Sequence, residues 1–250
     1  MKTLIAANWK MNTNLSEAQQ LTRDLLSSIN NYAHVETVIC PPFVYLQEIS
    51  NLLKGKPIKV GAQNVYFEEK GAYTGEVASG MLSDFCEYVI IGHSERRQFF
   101  GDTNEIVNKK LRSVIEHELT PILCVGENLD ERENGDAENV VGAQLEESLS
   151  GIQKTVNLVV AYEPVWAIGT GKAATSDIAE DIMRFIRSKL AAIYDNPFAD
   201  NITLLYGGSV TADNVKDYLS QANINGALVG GASLDAQKFQ DIIDLSLIHI

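Results

Sequence analysis

Val160-Ala-Tyr-Glu-Pro-Val-Trp-Ala-Ile-Gly-Thr-Gly-Lys172 sets a carboxylate at the end of an apolar run and follows it with a proline, a tryptophan and two glycines. Its last part, continued to Ala174, fits the dinucleotide spacing G-x-G-x-x-A, so two folds compete for it. A dinucleotide turn needs its first glycine directly after the strand, so that the helix starts beneath the pyrophosphate. Here Pro164, Val165, Trp166, Ala167 and Ile168 intervene. A P-loop fails as well, because its first glycine would fall on Trp166 and its Ser or Thr on Ala173. The glycines read instead as hinges of a lid that runs from Pro164 through Gly169, Thr170 and Gly171 to Lys172.

Outward from this stretch, short apolar runs recur along the chain. They are Leu4 to Ala7, Val35 to Cys40, Ile58 to Gly61, Tyr88 to Ile91, Pro121 to Val125, Leu158 to Ala161, Ile202 to Leu205 and Ala227 to Val229. Runs of this length and composition predict strands buried on both faces. Segments with helical spacing lie between them, among them Ser16 to Ile29, Glu105 to His117, Glu138 to Leu149, Ile178 to Ile193 and Thr211 to Leu219. The alternation predicts parallel strands joined by helical crossovers, and eight units in 250 residues match the size of a (β/α)8 barrel. With no linker-like or low-complexity stretch to divide it, residues 1–250 read as one domain. An open doubly wound sheet fits the same alternation. The chemistry discriminates, because a barrel gathers its polar residues at the C-terminal ends of its strands.

The formal net charge of −13 opposes a broad footprint on nucleic acid or on an anionic membrane. An anionic ligand would therefore need a local site. Cys40, Cys86 and Cys124 are widely spaced and odd in number, which favours a reducing compartment. The apolar start of the chain is interrupted at Asn8-Trp-Lys10 before a signal-peptide core is complete. No segment approaches the ~20 apolar residues of a membrane helix. A cytoplasmic protein is expected.

At the first strand exit, alternation points Asn8 and Lys10 to one side if the strand persists that far. A lysine inside a barrel mouth is costly unless it meets an anion; the alternative is a solvated loop lysine. After the fourth strand comes Gly92-His-Ser-Glu-Arg-Arg97. A helix starting beyond His93 disfavours the imidazolium and leaves a neutral donor for a carbonyl or enediolate oxygen. His34, His117 and His249 show no metal-ligand spacing, and no metal is expected. After the sixth strand Pro164 biases Glu163 to an extended conformation, with the carboxylate directed outward as a base or simply exposed in a loop. Tyr206-Gly-Gly-Ser-Val210 and Val229-Gly-Gly-Ala-Ser233 follow the seventh and eighth strands. These are the places where a barrel of this kind holds phosphate on backbone N–H groups.

Taken together, Ala6-Ala-Asn-Trp-Lys-Met-Asn12, Gly92 to Arg97, Tyr162 to Lys172, Tyr206 to Val210 and Gly230-Gly-Ala-Ser-Leu234 resemble the motifs of the triosephosphate isomerase family, in order and from end to end. The resemblance implies a cofactor-free aldose-ketose isomerase that interconverts dihydroxyacetone phosphate and glyceraldehyde 3-phosphate in glycolysis and gluconeogenesis. Glu163 would be the base and His93 the neutral electrophile, a pairing for which this family is itself the standard example. Lys10 would supply charge, Asn8 and Glu95 would support it, and Gly169, Ser209, Gly230 and Gly231 would hold the phosphate. The resemblance also implies a homodimer in which Thr74, in the long segment Gln63 to Ser79, reaches the partner's site. Position 176 departs from the family's common proline; Thr175, Ser176 and Asp177 are all suitable N-caps there.

Overall fold

The computed structural model describes residues 2–28, 34–154, 157–168 and 174–249. Eight strands, β1 (Thr3–Asn8), β2 (Val35–Cys40), β3 (Ile58–Ala62), β4 (Tyr88–Ile91), β5 (Thr120–Val125), β6 (Val159–Tyr162), β7 (Thr203–Tyr206) and β8 (Gly226–Val229), follow one another in a closed barrel. Every neighbouring pair is parallel, and β8 returns to β1 with Leu4 opposite Gly226 and Ala7 opposite Val229. Closure removes the open doubly wound alternative.

The period-2 geometry of a strand sorts each apolar run into two cores. Ile5, Ala7, Ile39, Val89, Ile91, Leu123 and Val160 pack outward against the helices. Leu4, Ala6, Val38, Cys40, Ile90, Ile122, Cys124, Ala161, Leu205 and Leu228 form a separate inner cluster that fills the barrel. Since both faces are covered, the strands read as continuous apolar runs.

The helices are α1 (Leu15–Ser28), α2 (Leu46–Leu53), α3 (Ser79–Leu82), α4 (Ser94–Phe100), α5 (Asn104–Glu116), α6 (Leu129–Glu133), α7 (Ala137–Ser148), α8 (Ser176–Ile193), α9 (Asn196–Asn201), α10 (Val215–Leu219) and α11 (Ala236–Leu245). Apolar spacing marks α1, α5, α7 and α8 to within about two residues, the usual uncertainty of a helix end. Ile29, the expected end of α1, lies outside the described residues. The helix expected from Thr211 begins only at Val215, because the Asn214 side chain accepts the Thr211 N–H at 2.8 Å and closes a turn instead. Thr175 is the N-cap of α8, its hydroxyl accepting from the Ile178 N–H.

Barrel closure places a demand on one residue. A Cβ at Gly226 would collide with the Leu4 carbonyl oxygen and crowd Leu205. The obstruction is backbone in the β1–β8 seam and cannot rotate away. Gly226→Ala is therefore expected to destabilise the fold by about 3 kcal/mol or more, the upper end of overpacking costs. Thermal denaturation checks this; an unchanged midpoint would show that the seam yields.

Candidate active site

The exits of β1, β4, β6, β7 and β8 meet around a cavity of about 400 Å³. Asn8, Lys10, His93, Glu163, Ile168, Ser209, Gly230 and Gly231 are among the residues that line it. Residues far apart in sequence are thus brought to one place by the C-terminal ends of the strands.

Lys10 arrives there by a route that strand alternation does not predict. β1 ends at Asn8, and Lys10 has φ of 53°, a left-handed conformation that costs a non-glycine residue about 1–3 kcal/mol. Neighbouring polar groups hold it. The Lys10 N–H donates to Asn8 Oδ1 at 3.0 Å, and the Lys10 carbonyl accepts from Gln63 Nε2 at 2.9 Å. The ammonium meets Glu95 Oε1 at 2.7 Å. Asn8 and Glu95 therefore fix the two ends of the lysine, its backbone and its charge.

His93 is the N-cap of α4. Its Nδ1 accepts the Glu95 N–H at 3.3 Å, and its Nε2 lies 2.9 Å from Glu163 Oε1. An accepting Nδ1 leaves the proton on Nε2, which selects the neutral tautomer with Nε2–H directed into the site. Burial draws the His93 pKa down, but the facing Glu163 carboxylate, by charge and by hydrogen bond, outweighs it and the net direction is upward. That upward pull depends on Glu163 staying against the ring.

Glu163 is 1% exposed, so it is not an exposed loop carboxylate, and it lines the cavity at the strand exits. Its Oε2 accepts the Ser94 N–H at 2.9 Å and its Oε1 accepts the Ser94 hydroxyl at 3.3 Å. Burial raises the Glu163 pKa; His93, the Ser94 N–H and Lys10 lower it further than burial raises it. The carboxylate is held ionised at the N-terminus of α4, where the helix favours negative charge.

The two glycine pairs differ in what they do. A Cβ at Gly207 would stand 3.0 Å from Glu163 Cγ, and one at Gly208 would overlap the Tyr206 hydroxyl, so this pair lets the β6 and β7 exits approach closely. Gly231 has open space where a side chain would be, and a Cβ at Gly230 would come within 3.4 Å of Lys10 Cε. Here the absence of side chains keeps the cavity open beside the ammonium, with the 3-10 turn Gly231–Leu234 starting at its wall. The Ser209 hydroxyl donates to the Ala167 carbonyl at 3.2 Å.

Within the expected lid, Pro164 to Ile168 are described, with Val165–Ala167 in a 3-10 turn. Gly169, Thr170, Gly171 and Lys172 lie outside the described residues. The turn is tied to a residue that the sequence reading passed over. Glu127, fully buried, accepts from Trp166 Nε1 at 2.8 Å and from the Tyr162 hydroxyl at 3.0 Å, while its carbonyl accepts the Val165 N–H at 3.0 Å. A carboxylate at the exit of the fifth strand is the same signal that marks Glu163 at the sixth. Ser94 was hidden because a serine beginning a helix ordinarily reads as a cap.

Thr74 is exposed in the connection between β3 and α3 and lines no part of its own chain's cavity. A second cavity, about 460 Å³, opens on the other side of Lys10, lined by Met11, Val44, Gln63, Glu95 and Phe100 among others. Met11 is 96% exposed and Val44 79%. Among the described residues, no three His, Cys, Asp or Glu side chains gather so as to hold a metal ion, and no helix is long and apolar enough to cross a membrane.

Residues 3–246 match the family described as Triosephosphate isomerase. A triosephosphate isomerase of Dictyoglomus turgidum is 48% identical over 245 residues, covering 97% of this chain and 98% of the relative. That of Clostridium tetani is 49% identical over 246 residues, covering 97% and 96%. That of Thermoanaerobacter sp. is 46% identical over 246 residues, covering 97% and 99%. Agreement of this extent, along a barrel whose strand exits converge on one cavity, makes the chain a member of the triosephosphate isomerase family.

Proposed function

We propose that this chain interconverts dihydroxyacetone phosphate and D-glyceraldehyde 3-phosphate without a cofactor, as a single catalytic domain across residues 1–250. The observation that carries the reading is the ionised Glu163 carboxylate and the Nε2 of His93, both buried, facing one cavity that also holds the Lys10 ammonium and an open pair of glycines. Proton transfer between adjacent carbons needs a base, and the oxyanion that develops needs a donor and a cation placed before the reaction. Glu163 takes the base role. It must first leave Nε2 and the Ser94 N–H, since those contacts occupy the atoms it works beside. Its departure also removes the carboxylate that pulls the His93 pKa upward, so a neutral Nε2–H is left to donate to the substrate carbonyl and then to the enediolate oxygen. Lys10 faces the same oxygen, and Glu95 and Asn8 position it. Ser209, Gly230 and Gly231 receive the phosphate, joined by Gly169 on sequence grounds.

The lid from Pro164 to Lys172 completes the site, and loop closure of this kind is the standard example that this family provides. Its described part is anchored through Trp166 and Val165 to Glu127, and Ile168 already stands at the cavity. Closure excludes water and so strengthens the contacts of Lys10 and His93 with the oxyanion.

A cytoplasmic homodimer is part of the proposal. Support comes from exposed apolar side chains around the second cavity and from Thr74, which has no place in its own site. Large exposed apolar residues grouped around a concavity mark a surface that another chain covers.

The purified protein is expected to convert dihydroxyacetone phosphate with no added cofactor in a coupled assay, and Glu163→Asp, which withdraws the carboxylate by one methylene, to be about 10²-fold slower. Equal rates would remove Glu163 from the base role. Lys10→Met should lower kcat/KM by about 10²–10³, the loss expected of one preorganised oxyanion partner. A variant with parental kcat/KM would leave Lys10 as a bystander. Sedimentation at assay concentration should show a two-chain species, and the separated chains should be nearly inactive; a fully active monomer overturns the dimer.

A further inference from the structure

Gly126 follows β5 and stands directly against the exit of β6. A Cβ at this position would overlap the Glu163 carbonyl oxygen and crowd its Cα, so the two backbones touch with nothing between them. On either side, the Glu163 N–H donates to the Val125 carbonyl at 2.8 Å and the Val165 N–H donates to the Glu127 carbonyl at 3.0 Å. The segment Val125-Gly-Glu127 is thus the bed on which the base's backbone lies.

Val125 and Glu127 are buried, and the weak point of that bed is Gly126 between them. Gly126 carries no side chain, and a cavity of about 320 Å³, lined by Ser94, Gly126, Gln144, Glu163 and Val165 among others, adjoins it. One side chain satisfies both polar groups of Gly126. Gln144 of α7 accepts the Gly126 N–H on Oε1 at 2.8 Å and donates from Nε2 to the Gly126 carbonyl at 3.0 Å. Two reciprocal bonds to one residue imitate the hydrogen-bonded pair of an antiparallel ladder, and only an amide side chain offers donor and acceptor together in this form.

We infer that Gln144 is a positioning residue for the proton transfer, clamping the Gly126 peptide and, through it, the backbone from which the Glu163 carboxylate reaches the substrate. The inference rests on the isomerase reading above. Gln144 does not line the substrate cavity, and its side-chain hydrogen bonds among the described residues both go to Gly126. Neutral hydrogen bonds contribute modestly to net stability, whereas a displacement of about 1 Å at a reacting group can cost ~10²-fold in rate. Rate should therefore suffer more than fold.

The test uses the full chain with Gln144→Met, which conserves volume without either bond, and Gln144→Glu, which keeps an acceptor for the Gly126 N–H and loses the donor. Gln144→Met should lower kcat by about 10- to 100-fold, with inhibition by inorganic phosphate unchanged because the glycine cradle is untouched. The acid limb of the kcat/KM profile, which reports the free enzyme, should move to higher pH, since a displaced Glu163 loses hydrogen bonds that favour its ionised form. Gln144→Glu should fall between parent and Gln144→Met. A folded variant with parental kcat overturns the clamp, as does a loss of kcat that runs in step with phosphate inhibition while the acid limb stays in place. If Gln144→Met does not fold, Gln144→Glu alone carries these criteria. A parent protein inactive on dihydroxyacetone phosphate refutes the isomerase reading itself, whereas an active parent with unimpaired Gln144 variants refutes the clamp alone.

Discussion

A buried carboxylate organises this protein's working end. Removing an ionised carboxylate from water costs several kcal/mol unless charge and hydrogen bonds replace the hydration. Glu163 has that replacement in the Ser94 N–H and hydroxyl and in the His93 ring. Those partners come from the β4 exit, 69 residues away in sequence, so the ionised base exists only if β4 and β6 are held at fixed separation by the strand between them. The requirement then spreads outward. α4 must begin where it does for the Ser94 N–H to be free, and His93 must cap it for the ring to turn its Nε2 inward. Glu95, in the first turn of the same helix, must sit where it can hold Lys10. One anion therefore ties together three strand exits.

The opposite end of the barrel shows what charge looks like without such a task. There Lys59 lies between Glu36 and Glu87, at 3.3 and 3.0 Å, and Tyr88 donates to Glu36. The Lys59 pKa is lowered by burial but raised more by these carboxylates, which hold the ammonium between them at this end of the barrel. At the top, the Lys10–Glu95 and His93–Glu163 pairs instead bring the Lys10 ammonium, the His93 ring and the Glu163 carboxylate to one cavity. The contrast follows the division common to this architecture, stability at the N-terminal face and chemistry at the C-terminal face.

The fold was legible because its signals are local. Strand runs such as Val35 to Cys40 needed only their own composition, and α1, α5, α7 and α8 needed only their own spacing. Polar groups at strand exits, Glu163 and His93 foremost, stood out against the apolar runs before them. The same rule applied to Val125-Gly-Glu-Asn128 would have flagged Glu127. Elsewhere local reasoning left the answer open. Whether the first strand persists as far as Lys10 was such a point, and the structure ends β1 at Asn8 and turns Lys10 left-handed; that Gly207 and Gly208 let two strand exits touch was another.

The sequence alone therefore determined the alternation of strands and helices, the chemistry of the strand exits and the family resemblance, since each is carried by neighbouring residues. Tertiary structure alone decided that the sheet closes, that Glu163 rests on Ser94 and that Lys10 is held by Gln63 and Glu95. It also decided that Gln144 bonds Gly126. These are contacts between residues distant along the chain, and their geometry is set by barrel closure, which no local propensity encodes.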